Sequence, residues 1–82
     1  MPKTIVLTFT QDVIQEHIDR HNGGIVPLNT DAEEWCKDNC KGAWTPYRRA
    51  GQMGEPVVFD YVFAEERDAA LFMMFHDGAT DE

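Results

Sequence analysis

An α+β domain, built as a small antiparallel sheet of three or four strands with helices packed on one face, is what the sequence predicts, on three observations. Residues 57 to 63 alternate, with Val57, Phe59, Tyr61 and Phe63 on one side and Val58, Asp60 and Val62 on the other. That is the period-two pattern of a strand with one aromatic face. Residues 3 to 10 repeat it, setting Ile5, Leu7 and Phe9 against Thr4, Val6, Thr8 and Thr10. Three other stretches carry apolar residues at helical spacing, each beginning with hydroxyl or acidic residues that favour a helix start.

The first helix follows the first strand directly. Thr10 is placed to cap it, Asp12 lies in its first turn, and Ile14, Ile18 and His21 recur at i, i+4 and i+7 with Val13 and His17 alongside. Gly23-Gly24 stops it. Residues 25 to 29 form a connection containing Pro27. The second helix opens on Thr30 and Glu33, a capping-box pair, with an inner stripe of Ala32, Trp35, Cys36 and Asn39, and Gly42 closes it. Residues 43 to 49 read as a strand carrying Trp44 and Tyr47, which Pro46 confines to a sheet edge. The glycine-bearing segment from Ala50 to Gly54 returns the chain as a hairpin into the aromatic strand.

After Phe63, the acidic run Glu65, Glu66 and Asp68 places a third helix start near Ala64 or Glu65. Residues 69 to 75 are apolar at every position, so periodicity does not fix where this helix ends. If it runs on, Ala69, Phe72, Phe75 and His76 face inward with Met73 or Met74 at the flank. If it stops near Phe72, residues 73 to 76 form a short final strand. Gly78 ends either version. The expected organisation is one domain over residues 1–78 and an acidic tail over 79–82. The order β-α-(α)-β-β-α fits a ferredoxin-like sandwich.

The chain has 82 residues, 43% of them hydrophobic, enough for one small core and against disorder. Its start, Met-Pro-Lys-Thr-Ile-Val, lacks the layout of a signal peptide, and no apolar run reaches membrane-spanning length. A cytoplasmic protein with reduced cysteines is expected. Fifteen acidic residues against seven basic give a formal net charge of -8, which disfavours general affinity for nucleic acid or anionic membranes and favours basic partners.

No stretch carries a specific catalytic or nucleotide-binding motif, so no cofactor and no catalytic residue is expected. His17 and His21, like Cys36 and Cys40, stand at i and i+4 on one helical face, and a zinc site is geometrically open to them if the two helices meet. The competing reading is a buried thiol beside Trp35 and histidines near a helix C-terminus. Lys41, Trp44, Tyr47, Arg48 and Arg49 mix cations with aromatic rings, the ingredients of a nucleic-acid contact surface. They suit equally an edge strand that uses charge to deter sheet-to-sheet association. Asp31, Glu33, Glu34 and Asp38, with Glu65, Glu66 and Asp68, form acidic helical sets able to meet a basic protein. Met53, Met73 and Met74 can add adaptable apolar contact where exposed.

Phe63-Ala-Glu-Glu-Arg-Asp68-Ala69-Ala-Leu-Phe72, preceded by the Trp44 strand and a glycine turn, resembles the C-terminal half of many short tailed-bacteriophage proteins over about residues 44 to 75. The same pattern has a structural explanation, a small Ala that seats the helix on the sheet and a Phe that fills the core. The resemblance implies a small phage-type, host-directed protein and transfers no catalytic residue. The functional expectation is a non-enzymatic protein that binds a basic or nucleic-acid-binding partner, as an inhibitor of a host nucleic-acid-handling or defence protein in the host cytoplasm. The alternatives are the nucleic-acid module and the zinc-stabilised module.

Overall fold

The computed structural model describes residues 1–22, 27–49, 51, 54–76 and 78–81. In chain order it contains β1 (Lys3–Phe9), α1 (Gln11–Arg20), α2 (Thr30–Asn39), β2 (Trp44–Arg48), β3 (Val57–Phe63), α3 (Glu66–Phe75) and β4 (Ala79–Asp81). The strands make one sheet in the order β2-β3-β1-β4, each neighbouring pair antiparallel. Among the described residues no helix is long and apolar enough to cross a membrane.

Alternation sets the two central strands. Ile5 pairs with Tyr61 and Leu7 with Phe59, so the odd-numbered residues of both strands share a face, and that face is buried. Ile5, Leu7, Phe59, Tyr61 and Phe63 meet Ala32 and Cys36 of α2 and Ala69 and Phe72 of α3 in one core. The opposite face carries Thr4, Val6, Thr8, Val58, Asp60 and Val62, all half-buried. β2 takes the edge that Pro46 predicts, where a missing N–H breaks no inner ladder. Phe72 is the centre of the packing, with its ring centroid 4.9 Å from Tyr61 and 5.1 Å from Phe63.

The helix ends agree with the sequence in one case and depart from it in another. Thr10 caps α1, its Oγ1 accepting from the Val13 N–H at 3.4 Å. Thr30 does not cap α2: it is the first helical residue, and its hydroxyl donates to the Pro27 carbonyl at 2.9 Å. Glu33 accepts instead from the Asn29 side chain at 2.9 Å. The carbonyl of Pro27 lies within reach of both the N–H and the hydroxyl of Thr30, and this turn draws the helix start back so that Asn29 takes the cap position. The Gly23-Gly24 stop, Met53 and most of the segment from Ala50 to Gly54 lie outside the described residues.

α3 starts at Glu66, with Glu65 in the cap position, and runs through Phe75, so residues 73 to 76 are not a strand. The final strand lies further on. Ala79–Asp81, expected to lie in an acidic tail, pairs with β1 through Leu7↔Ala79 and Ile5↔Asp81. Lys3 Nζ also sits 3.0 Å from Asp81. Gly78 makes this possible: its φ is +83°, and a Cβ there would come within 2.8 Å of the Thr8 carbonyl oxygen, which accepts no side chain so close.

Asp68, expected on a charged contact surface, is fully buried. Its carboxylate accepts from the Lys41 N–H at 3.1 and 3.2 Å and from the Gly42 N–H at 3.0 Å, with Arg67 Nη1 at 3.4 Å. These amides belong to the link between α2 and β2, so the carboxylate ties that link to α3 while the Ala43 carbonyl ties its end to the Ala64 N–H at 2.9 Å. Replacing Asp68 with Ala strands these donors and is expected to destabilise the fold by about 3 kcal/mol. The corresponding fall in Tm is roughly 12–24 °C by thermal melt; a melt within ~2 °C of the parent would show that Asp68 does not hold the link.

Candidate functional site

α2 divides into two stripes. Ala32 and Cys36 point into the core. Asp31, Glu34, Trp35 and Asp38, at i, i+3, i+4 and i+7, share the face next to that stripe, and Asp31 also borders a recess against α1 that contains Leu7, Phe9, His17 and Arg20. Asp31, Glu34 and Asp38 are exposed, and Trp35 is half-buried on the shoulder between the stripes.

α3 supplies the facing wall. A helix that is apolar from residue 69 to residue 75 has more apolar positions than one face can bury: Ala69 and Phe72 are buried and Met73 packs against the core, while Phe75 and Met74 remain 61% and 83% exposed. The inward position expected for Phe75 is therefore not realised. Its ring instead stacks on Trp35 at 5.6 Å with an interplanar angle of 27°. Trp35 in turn sets its edge on Phe72 at 5.7 Å. His76, at the C-cap of α3, meets Phe72 at 4.4 Å and Phe75 at 4.7 Å.

Between these walls lies an open groove of about 720 Å³, lined by Asp31, Glu34, Trp35, Asp38, Asn39, Phe75 and His76. Leu71 and Met74 continue its apolar side past Trp35 and Phe75. An aromatic and methionine patch bordered by polar residues on the surface of a small domain is the pattern of an interaction site.

The border is acidic, and its nearest basic groups, Arg20 and His17, share only the recess beside Asp31. Among the described residues no salt bridge engages Asp31, Glu34 or Asp38, whereas Glu16, Asp60, Asp68 and Asp81 each lie within ion-pair distance of a basic side chain. Two like-charge pairs follow one another along the helix, at i,i+3 and i,i+4, and Asp38 stands in the last turn, where the helix dipole disfavours a negative charge. Each of these features weakens α2 by a few tenths of a kcal/mol. His76 adds no compensating cation, because burial lowers its pKa, only partly opposed by Asp31.

The remaining acidic candidates stand apart from the groove. Glu33 is tied to Asn29, and the Glu65 side chain lies over Gly42. Glu66 lines a separate recess that also contains Lys3, Arg67 and Asp81. Asp68 is internal. The basic and aromatic set is divided by strand parity: Trp44 packs against the core while Tyr47 points from the opposite face, 57% exposed. Arg49 grips Asp60 through two hydrogen bonds of 2.7 and 2.8 Å. Lys41, Trp44, Tyr47, Arg48 and Arg49 are thus not gathered on one surface.

The His17 and His21 rings lie 4.6 Å apart on α1. Cys36 and Cys40 are free thiols at the other side of α2's stripe. Among the described residues no three histidine, cysteine or acidic side chains come together to hold a metal ion. Burial pushes both thiols up, Cys36 strongly, with Cys40 beside it adding to the rise. Neither thiol is therefore poised as a thiolate nucleophile. Burial likewise pushes Tyr61 up to about 12, with Asn29 opposing.

His76 gives the groove a measurable pH signature. A histidine whose folded pKa is depressed binds fewer protons when folded than when unfolded, so its contribution to stability is complete above the unfolded value of 6.5 and is lost as pH falls through that value toward the folded one. Chemical denaturation between pH 7.5 and 5 is expected to show wild type losing more stability than His76→Asn; parallel curves would show that His76 does not titrate on unfolding.

No family model, curated protein or solved structure matches the chain, and its functional reading rests on this groove.

Proposed function

We propose that this protein acts by binding another protein, with the α2–α3 groove as the contact and a basic surface as its counterpart. The observation that carries the reading is the run of three carboxylates, Asp31, Glu34 and Asp38, without a salt bridge among the described residues, along one edge of an exposed aromatic patch. Each half has a cost for the free protein, charge repulsion on one side and exposed apolar area on the other. A partner that brings cations to the border and apolar groups to the centre removes both.

The reading extends to an inhibitor of a nucleic-acid-handling or defence protein in a host cytoplasm. Carboxylates in file on a helix, about 5 Å apart along its axis, present a line of negative charge to a groove built for phosphates. The strand order β4-β1-β3-β2 with helices against one face supports a ferredoxin-like scaffold for this role.

Affinity capture from bacterial lysate tests the reading. Asp31, Glu34 and Asp38 changed together to Lys are expected to lose the proteins retained by wild type. A charge-matched control, with Asp12, Glu16 and Asp19 on α1 changed to Lys, is expected to keep them. Equal retention by both variants would overturn the assignment of the groove.

A further inference from the structure

The groove's chemistry selects one kind of occupant, and this step rests on the docking reading above. We propose that it takes an arginine side chain from a short basic segment of the partner, the guanidinium lying against the Trp35–Phe75 rings and its N–H groups turned toward Asp31, Glu34 and Asp38.

Four observations lead there. The stacked rings of Trp35 and Phe75 expose aromatic surface, Phe75 at 61%, and an aromatic face attracts a cation placed over it, arginine more often than lysine. The adjacent wall offers three carboxylates with no basic partner among the described residues. A guanidinium presents five donors in a planar fork and is less hydrated than an ammonium, so it can stack on a ring and bond a carboxylate at once; a lysine ammonium must give up more water to do either. Leu71 and Met74 continue the floor where the methylene stem of an arginine would lie.

Size and charge exclude the other occupants. Two ten-residue helices joined across this face by the Trp35, Phe72 and Phe75 rings offer a face on the order of 300 Å², well below the ~800 Å² per partner of a standard interface. The footprint suits a short segment with an anchor residue. A second copy docked symmetrically through this face would oppose its own Asp31, Glu34 and Asp38 to the same three residues, in a chain of net charge -8. A nucleic-acid strand meets the same repulsion.

The test uses the full chain and a blocked hexapeptide of glycine, leucine and arginine (Gly-Leu-Arg-Leu-Arg-Gly), with lysine and citrulline versions, followed by amide chemical-shift titration. The arginine peptide is expected to shift amides of α2 and α3. The citrulline peptide, which keeps the shape and loses the charge, should bind roughly tenfold more weakly or worse. The lysine peptide should lie between. Trp35→Leu should remove the preference of arginine over lysine, and Phe75→Ser, at a more exposed ring that the fold needs less, should do the same while leaving the melting temperature near that of wild type. Changing Asp31, Glu34 and Asp38 to their amides should abolish binding of both cationic peptides. If arginine and lysine bind equally and neither ring variant matters while the amide variant does, the arginine anchor is wrong and the acidic docking face stands. If the amide variant also has no effect, or no peptide binds, both fall. Binding of arginine and citrulline peptides alike overturns the anchor in favour of a purely apolar contact.

Discussion

Phe72 seated on the ring row of β3 is the contact from which the other placements follow. Its ring touches Tyr61 and Phe63 at once, and Ala69, one turn earlier, is small enough to bring α3 close to the sheet. Removing a buried Phe from such a core costs about 3–5 kcal/mol, a large share of what a domain of this size has. With α3 held there, Asp68 is carried to the link after α2, where it gathers two backbone amides. Trp35 sets its edge on the same Phe72, which orients α2. The groove is a by-product of that seat: Phe75, one turn past Phe72 and beyond the edge of the sheet's buried face, meets Trp35 instead, and Met74, across the helix from Phe72, stays exposed.

Much of this architecture can be read from residue order. The alternation at Ile5, Leu7 and Phe9 and at Phe59, Tyr61 and Phe63 specifies strands with a single buried face, because a slip of one residue would turn every ring to solvent. Thr10 announces α1 through a local bond whose partner is three residues away, and Pro46 announces an edge. The features that escape a linear reading depend on distant partners. Thr30 and Glu33 satisfy a local capping rule, yet Pro27 and Asn29 offer competing partners only once the connection has folded. Asp68 looks like a helix-start charge until the link at Lys41 and Gly42 is brought over it. The strand at Ala79–Asp81 has no apolar alternation to reveal it and exists through backbone pairing with β1.

The site was legible in halves. The acidic spacing of Asp31, Glu34 and Asp38 is visible in the sequence, and the structure keeps those three on one face. What spacing does not separate is Glu33, which turns to Asn29, or Asp68, which turns inward. The aromatic half was hidden by the assumption that large rings point inward. A warning lay in the length of the apolar run: seven successive positions cover nearly two turns, and a helix lying on one sheet can bury only about half of its circumference. Some of Ala70, Leu71, Met74 and Phe75 had to face water, and on this fold Phe75 faces it beside the carboxylates of α2.

The short β4 strand also bears on how the molecule behaves in company. Without it, β1 would be an outer strand, presenting the free amides and carbonyls of a hydrophobic, β-branched segment to any neighbouring chain, which is how sheets of separate molecules fuse and seed fibrils. Three residues hold that border shut, closed by a turn that only Gly78 can make and clipped at the far end by Lys3 on Asp81. One of the sheet's two borders is thus reduced to a three-residue strand by a glycine that brings no side chain to the core.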